Sequence, residues 1–243
     1  GKEKPIQLMS GEITGIDPSF GEDSEMTVRG YDKMHRLRFG KAQRTFADMT
    51  DGQIFKKVGA ESGLSVKAAD PGVKHPYVFQ NDQSNYDFLL ARAKRSGYEM
   101  SVEKTKLVIA KPGLGSSPAV KLEYGSNVTK FDVKMNTLFE GSEVEVRGWD
   151  VKAKKAISYK AKKGDEISKM GGKKTGFELA AKMKKSPVVI SDQPIVDAKD
   201  AELVAKAVYN GQLEDFVTAD AGADGNALLV PGKVVEVKGV GDQ

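Results

Sequence analysis

An eight-residue stretch of this chain occurs twice, and the distance between its copies limits the folds open to it. Glu25-Met26-Thr27-Val28-Arg29-Gly30-Tyr31-Asp32 returns as Glu143-Val144-Glu145-Val146-Arg147-Gly148-Trp149-Asp150, keeping Glu, Val, Arg, Gly and Asp with an aromatic before the Asp. Asp32 and Asp150 lie 118 residues apart. That offset is too long for a solenoid repeat and about the size of a small domain, so it reads as a duplicated module. Each copy has the pattern of a strand. Met26 and Val28, or Val144 and Val146, share one face, while Thr27 and Arg29, or Glu145 and Arg147, share the other. Strict alternation puts Tyr31 and Trp149 on the arginine side. Burial of those rings would instead require Gly30 and Gly148 to be bulge positions that shift the side-chain parity by one.

A length of 243 residues allows one large or two ordinary domains, and the duplication favours at least two. Hydrophobic residues make up 39% and charged residues 30%, which describes a globular chain rather than a disordered one. No apolar run is long enough to cross a bilayer, and the opening Gly-Lys-Glu-Lys-Pro lacks the apolar core of a signal peptide. An opening on Gly1 is the expectation for a trimmed part of a longer chain. With no cysteine, disulfides and thiolate metal sites are excluded.

The net charge of +4 is unevenly placed: Lys152–Lys185 carries twelve lysines against Asp165, Glu166 and Glu178, a local balance of +9. Such a run could track phosphates. It has no arginine and few aromatics for base stacking, so a solvated loop or hairpin is the preferred reading.

Taken in order, 5–39 reads as β, with Ile6, Leu8, Ile13 and Ile16 in short alternating groups and Leu37 and Phe39 after the repeat strand. Thr50-Asp51-Gly52-Gln53 has capping-box spacing and predicts a helix from Asp51 to about Ser62. Ser84 with Asp87 opens a second helix closed by Gly97. Strands are expected at Tyr77–Gln80, Tyr98–Val102 and Leu107–Ala110, making 45–111 a small α+β insert. Beyond a Pro/Gly/Ser loop the β pattern returns at Val120, Leu122 and Tyr124, then Val128, Phe131 and Val133, and continues after the repeat at Ile157 and Tyr159. Thr175-Gly-Phe-Glu178 is another capping box, opening a helix expected to end near Lys185, with a strand Val188–Ile190 beyond it. Asp200 is placed as the cap of a further helix ending at Gly211, and strands are expected at Phe216–Thr218, Leu228–Val230 and Val234–Val237.

The sequence carries no complete catalytic or metal-binding motif. His35 and His75 are the two histidines, in different segments, and each reads as structural rather than ligating. Asp220-Ala-Gly-Ala-Asp224-Gly225 resembles a calcium-binding loop, but Gly222 and Pro231 stand where ligands should be, and a turn is the better reading. Gly172-Lys173-Lys174-Thr175 resembles the end of a phosphate loop, yet Ile167 replaces its first glycine. No nucleophile elbow or Ser/His/Asp arrangement is present. Asp32 and Asp150, each near an arginine, read as ion-pair or turn residues rather than paired catalytic carboxylates. No cofactor, no metal and no enzymatic activity are expected.

The stretch His75-Pro-Tyr-Val-Phe-Gln80-Asn-Asp-Gln-Ser84 through Asp87, Arg92 and Gly97-Tyr98 resembles the phage late control gene D family. That family includes contractile-tail baseplate hubs and the hub portion of VgrG-type spike proteins of type VI secretion systems. Val28-Arg-Gly-Tyr-Asp32, Phe46-Ala-Asp-Met-Thr50, Val146-Arg-Gly-Trp-Asp150 and the closing run from Gly225 to Gly241 fit the same family order.

The resemblance implies an α+β, mainly β chain with two tandem related β-barrels and an α+β insert. The expected layout is a partial first barrel over 1–45, the insert over 46–111, a linker and connecting strand over 112–124, and a second barrel with helical insertions over 125–243, short of its last strand. It also implies a structural, non-enzymatic homotrimer at the baseplate of a phage tail or related injection particle, made in the bacterial cytoplasm. Its partners would be tail tube protein, spike protein and other baseplate components, without membrane insertion. Three chains with two like modules each would match a six-fold tube to a three-fold spike. Arg29, Gly30, Tyr31, Asp32, Arg147, Gly148, Trp149 and Asp150 are the motif candidates. The rival readings are a nucleic-acid or cargo-binding module on the Lys152–Lys185 run and a cell-wall hydrolase, which would need a general acid not found in the sequence.

Overall fold

A computed structural model of the chain describes residues 6–103, 105–136, 143–169, 172, 174–180 and 187–241. They fold mainly as β-structure, with fourteen strands, four α-helices and a 3-10 helix among the described residues. The chain divides into two compact units, Gly1–Ala93 with Glu99–Ala110, and Lys94–Tyr98 with Lys111–Gln243.

In the first unit, β1 (Glu12–Ser19) and β2 (Glu25–Tyr31) form an antiparallel ribbon. The 3-10 helix Lys33–Arg38 comes next, so Leu37 is buried from a helical turn rather than from the strand its hydrophobicity predicts. β3 (Ala42–Thr50) pairs antiparallel with β5 (Lys74–Gln83). Between them lie α1 (Asp51–Glu61) and β4 (Ser65–Ala68). The Thr50 hydroxyl accepts the Gln53 N–H, and the Gln53 side chain accepts the Thr50 N–H at 3.0 Å, so the capping box forms in both directions. α2 (Asn85–Arg95) starts where Ser84 Oγ accepts the Asp87 N–H at 3.1 Å, and the chain leaves it through Gly97 at φ +65°. β6 (Glu99–Glu103) and β7 (Lys106–Ala110) complete a sheet in the order β4-β7-β6, with β4 and β7 parallel. Phe46, Ile54, Phe55, Val58, Leu89, Leu107 and Ile109 are buried here, and Phe46 stacks on Phe88 at 5.5 Å.

In the second unit, β8 (Val120–Glu123) pairs parallel with β14 (Val235–Lys238), and β9 (Val128–Met135) pairs antiparallel with β13 (Val217–Ala223). β10 (Val144–Asp150) is the centre of a three-stranded sheet, antiparallel to β11 (Lys155–Ala161) and parallel to β12 (Val188–Ile190). α3 (Gly176–Ala180) is opened by the Thr175/Glu178 capping box, and its expected continuation to Lys185 lies outside the described residues. α4 (Ala198–Glu214) supplies Ala201, Val204, Ala205 and Tyr209 to a core shared with Val144, Val146, Ile157 and Phe177. The Phe177 and Tyr209 rings stack at 4.4 Å.

No closed barrel is found among the described residues: the sheets have two or three strands, β2 pairs along one edge only, and the inner face of the β10 sheet is covered by a helix rather than by more strands. The cap of α4 is Asp197, whose carboxylate accepts the Asp200 N–H, because the Asp200 carboxylate is engaged by Arg95. α4 also runs through Gly211, which takes no left-handed conformation that would end it. Leu228–Val230 is a turn in which Asn226 Oδ1 accepts the Leu228 N–H at 2.9 Å, and Asp220 to Ala223 continue β13 rather than turning. β3 and β4 are not legible in the sequence, since β3 buries only Phe46 and β4 is four residues long.

Candidate functional site

The repeated segment builds the same small device twice. In the first copy Asp32 Oδ1 accepts the Met34 N–H at 2.9 Å, and in the second Asp150 Oδ1 accepts the N–H groups of Lys152 and Ala153, each at 2.9 Å. A short carboxylate that accepts an amide two residues downstream favours a turn in the chain. Both aspartates are therefore strand terminators. The chain then takes different paths: a 3-10 helix after Asp32, a tight turn into β11 after Asp150.

The arginines are tied down locally. Arg29 pairs with Asp17 across the ribbon, and Arg147 forms a bidentate pair with Glu145 at 2.9 and 3.1 Å. Hydrogen bonding from Arg147 holds the Glu145 carboxyl below its usual range, and Arg36 does the same for Glu12. Tyr31 is 62% exposed and Trp149 58% exposed, on the arginine faces where alternation puts them. The bulges that burial would have required are absent at both glycines. Gly148 pairs in regular register with Ile157, and Gly30 pairs with Ile13, the irregularity falling in β1 between Ile13 and Gly15. The glycines serve close approach instead. A Cβ on Gly30 would lie 2.8 Å from the Glu12 carbonyl oxygen, and one on Gly148 would lie 2.6 Å from the Ile195 Cβ.

A second constellation is invisible to spacing. Asp51, fully buried at the start of α1, contacts Arg92 at 2.6 Å and His75 Nε2 at 3.4 Å. Burial pulls the Asp51 pKa up, but His75 and the Arg92 guanidinium outweigh it and leave the carboxyl below its ordinary value. The buried charge is thus compensated from two other elements, β5 and α2. His75 and His35 both sit beside single carboxylates, Asp51 and Glu12. No group of three or more His, Asp or Glu side chains among the described residues could hold a metal ion.

The lysine run is partly neutralised: Lys160 lies 3.4 Å from Glu143, Lys163 2.6 Å from Glu178, and Lys169 3.9 Å from Glu178. The Lys163 hydrogen bond brings Glu178 down to about 2. A cavity of about 400 Å³ in the second unit is lined by apolar side chains, among them Leu114, Met135, Leu213 and Phe216, and by polar ones that include Lys169, Lys174 and Glu214. No described helix is long and apolar enough to cross a membrane.

Residues 10–243 match the family described as the Alg8 N-terminal domain. The chain belongs to the Alg8 N-terminal domain family. This family member is also 30% identical over 94 residues to the "Probable baseplate hub protein" of Escherichia phage P2, a match covering 38% of this chain. The match spans about a quarter of that relative's length, 24%. Its fold is similar to that of the tail protein from Neisseria meningitidis MC58, with a TM-score of 0.66 and 19% identity over 95% of this chain and 70% of the other. It is similar as well to the 43 kDa tail protein of prophage MuSo2 from Shewanella oneidensis, with a TM-score of 0.61 and 18% identity over 95% of this chain and 67% of that one. The Alg8 N-terminal domain chain thus has the fold of phage tail proteins.

Proposed function

We propose that this chain is a structural hub of a contractile injection machine, joining a six-fold tail tube to a three-fold spike as a homotrimer. The observation that carries the reading is the doubled strand and aspartate turn, built alike in two units of a chain with a tail-protein fold. Two modules per chain, each carrying the repeated strand and aspartate turn, place six copies of that segment around a trimer while keeping three-fold symmetry overall. The open ribbon β1–β2 supports the same reading, because two strands alone are marginal and gain stability from a neighbour in an assembly. In this role the barrels that the single chain leaves open are completed by adjacent chains. The chain acts at the virion tail baseplate or its equivalent in an injection particle, and its chemistry is binding rather than catalysis. The absence of arginine and the scarcity of aromatic side chains in the Lys152–Lys185 run, together with the pairing of Lys160, Lys163 and Lys169 to carboxylates, favour the hub over the nucleic-acid reading.

The test is reconstitution. Purified chain mixed with tail tube protein and spike protein from the same source should co-elute with both as one complex containing three copies. Binding to neither, under conditions where tube and spike preparations are each competent, overturns the hub reading.

A further inference from the structure

The two copies of the repeated segment sit on hairpins of opposite charge. From Glu12 to Tyr31 the β1–β2 hairpin carries five carboxylates against Arg29, a balance of −4. From Val144 to Ala161 the β10–β11 hairpin carries Arg147 and four lysines against two carboxylates, a balance of +3. In each case the charge gathers at the exposed tip, with Glu22, Asp23 and Glu25 on one and Lys152, Lys154 and Lys155 on the other. Each tip also shows apolar side chains to solvent, Phe20 at 87% on the acidic hairpin and Val151 at 78%, next to Trp149, on the basic one. Exposed apolar anchors surrounded by charge are the anatomy of a protein interface, with the charges setting register and partner choice.

We propose that copies of this chain join head to tail, the acidic β1–β2 hairpin of one docking on the basic β10–β11 hairpin of the next. The occupant is a second copy because both halves of the complementary pair lie on this one chain. They also share strand length, seven residues in β2 and in β10, and both strands end in the same aspartate turn. A contact between two different patches is heterologous and closes into a ring when its rotation allows. The inference rests on the reading that copies of this chain associate, and it assigns the contact.

Sedimentation velocity at low and high salt tests it with three variants whose folds are checked by circular dichroism. One is Glu22→Lys/Asp23→Lys/Glu25→Lys, one is Lys152→Glu/Lys154→Glu/Lys155→Glu, and one carries all six changes. The wild type should associate and weaken with salt. Each one-sided reversal, placing like charges opposite one another, should weaken association by about tenfold or more, and the six-fold variant should recover to within about threefold of wild type. Association unaffected by either reversal, or not restored in the combined variant, overturns the hairpin contact and leaves the hub reading standing. A wild-type chain that stays monomeric at all concentrations overturns both.

Discussion

Arg95 and Asp200, which lie 105 residues apart, meet as a bidentate ion pair at 2.7 and 2.8 Å with Asp200 fully buried. Arg95 also donates to the Pro194 carbonyl at 2.9 Å and to Gln193 at 3.0 Å, while Asp200 Oδ2 accepts the Val196 N–H at 3.0 Å. One pair thereby fixes both the Lys94–Tyr98 segment and the chain leading into α4. Asp200→Asn leaves the guanidinium short of its counter-charge and should cost about 3 kcal/mol of stability. Urea denaturation measures it, and a loss within error of zero contradicts the assignment.

Gly148→Ala should destabilise by about 1–3 kcal/mol, because the new methyl meets the Ile195 side chain within a packed sheet-helix core. Gly148→Ala/Ile195→Ala should lose less than the two single changes added together, since removing the bulk of Ile195 makes room for the methyl. Thermal denaturation of the three variants reads the coupling.

Asp32→Ala and Asp150→Ala should each cost about 1 kcal/mol through loss of the turn hydrogen bonds, with far-UV circular dichroism unchanged. Equal losses at both sites would support a common role for the two copies; a silent change at either would separate them.

Asp51 makes the first unit's stability depend on acid pH. Its folded pKa lies below the unfolded value near 3.8, so its contribution to stability is complete above that value and is lost as pH falls through the folded one. Wild type should therefore lose stability between about pH 5 and pH 2 more steeply than Asp51→Asn, which starts less stable but lacks this titration. Denaturation midpoints at a series of acid pH values decide the point. Glu178, held near 2, has the same sign and should release the start of α3 over a similar acid range.

Local hydrogen bonding is what the sequence makes legible. Thr50 with Gln53, Ser84 with Asp87 and Thr175 with Glu178 each form within one turn of chain, so their spacing suffices to place three helix starts. The start of α4 is ambiguous in the sequence because Asp197 and Asp200 are both competent caps, and the choice between them is made by Arg95 from far along the chain. Likewise Asp51, His75 and Arg92 come from three elements, and nothing in their spacing signals that they meet. β3 is hidden because it is mostly polar and carries Asp48 at φ +52°, which breaks the alternation a strand should show. The repeat itself is readable as two strands, but what packs on each depends on the surrounding fold: α4 covers Val144 and Val146, whereas Met26 and Val28 stay exposed.

In the proposed hub, two repeat-bearing modules per chain assemble into a ring matching three-fold to six-fold symmetry. Mass photometry of the purified chain, paired with class averages of negatively stained particles, tests it most directly. The hub should appear as a particle of three chains with six lobes around a central channel. A species of one chain at every concentration, or a closed ring whose copy number is not a multiple of three, would contradict it.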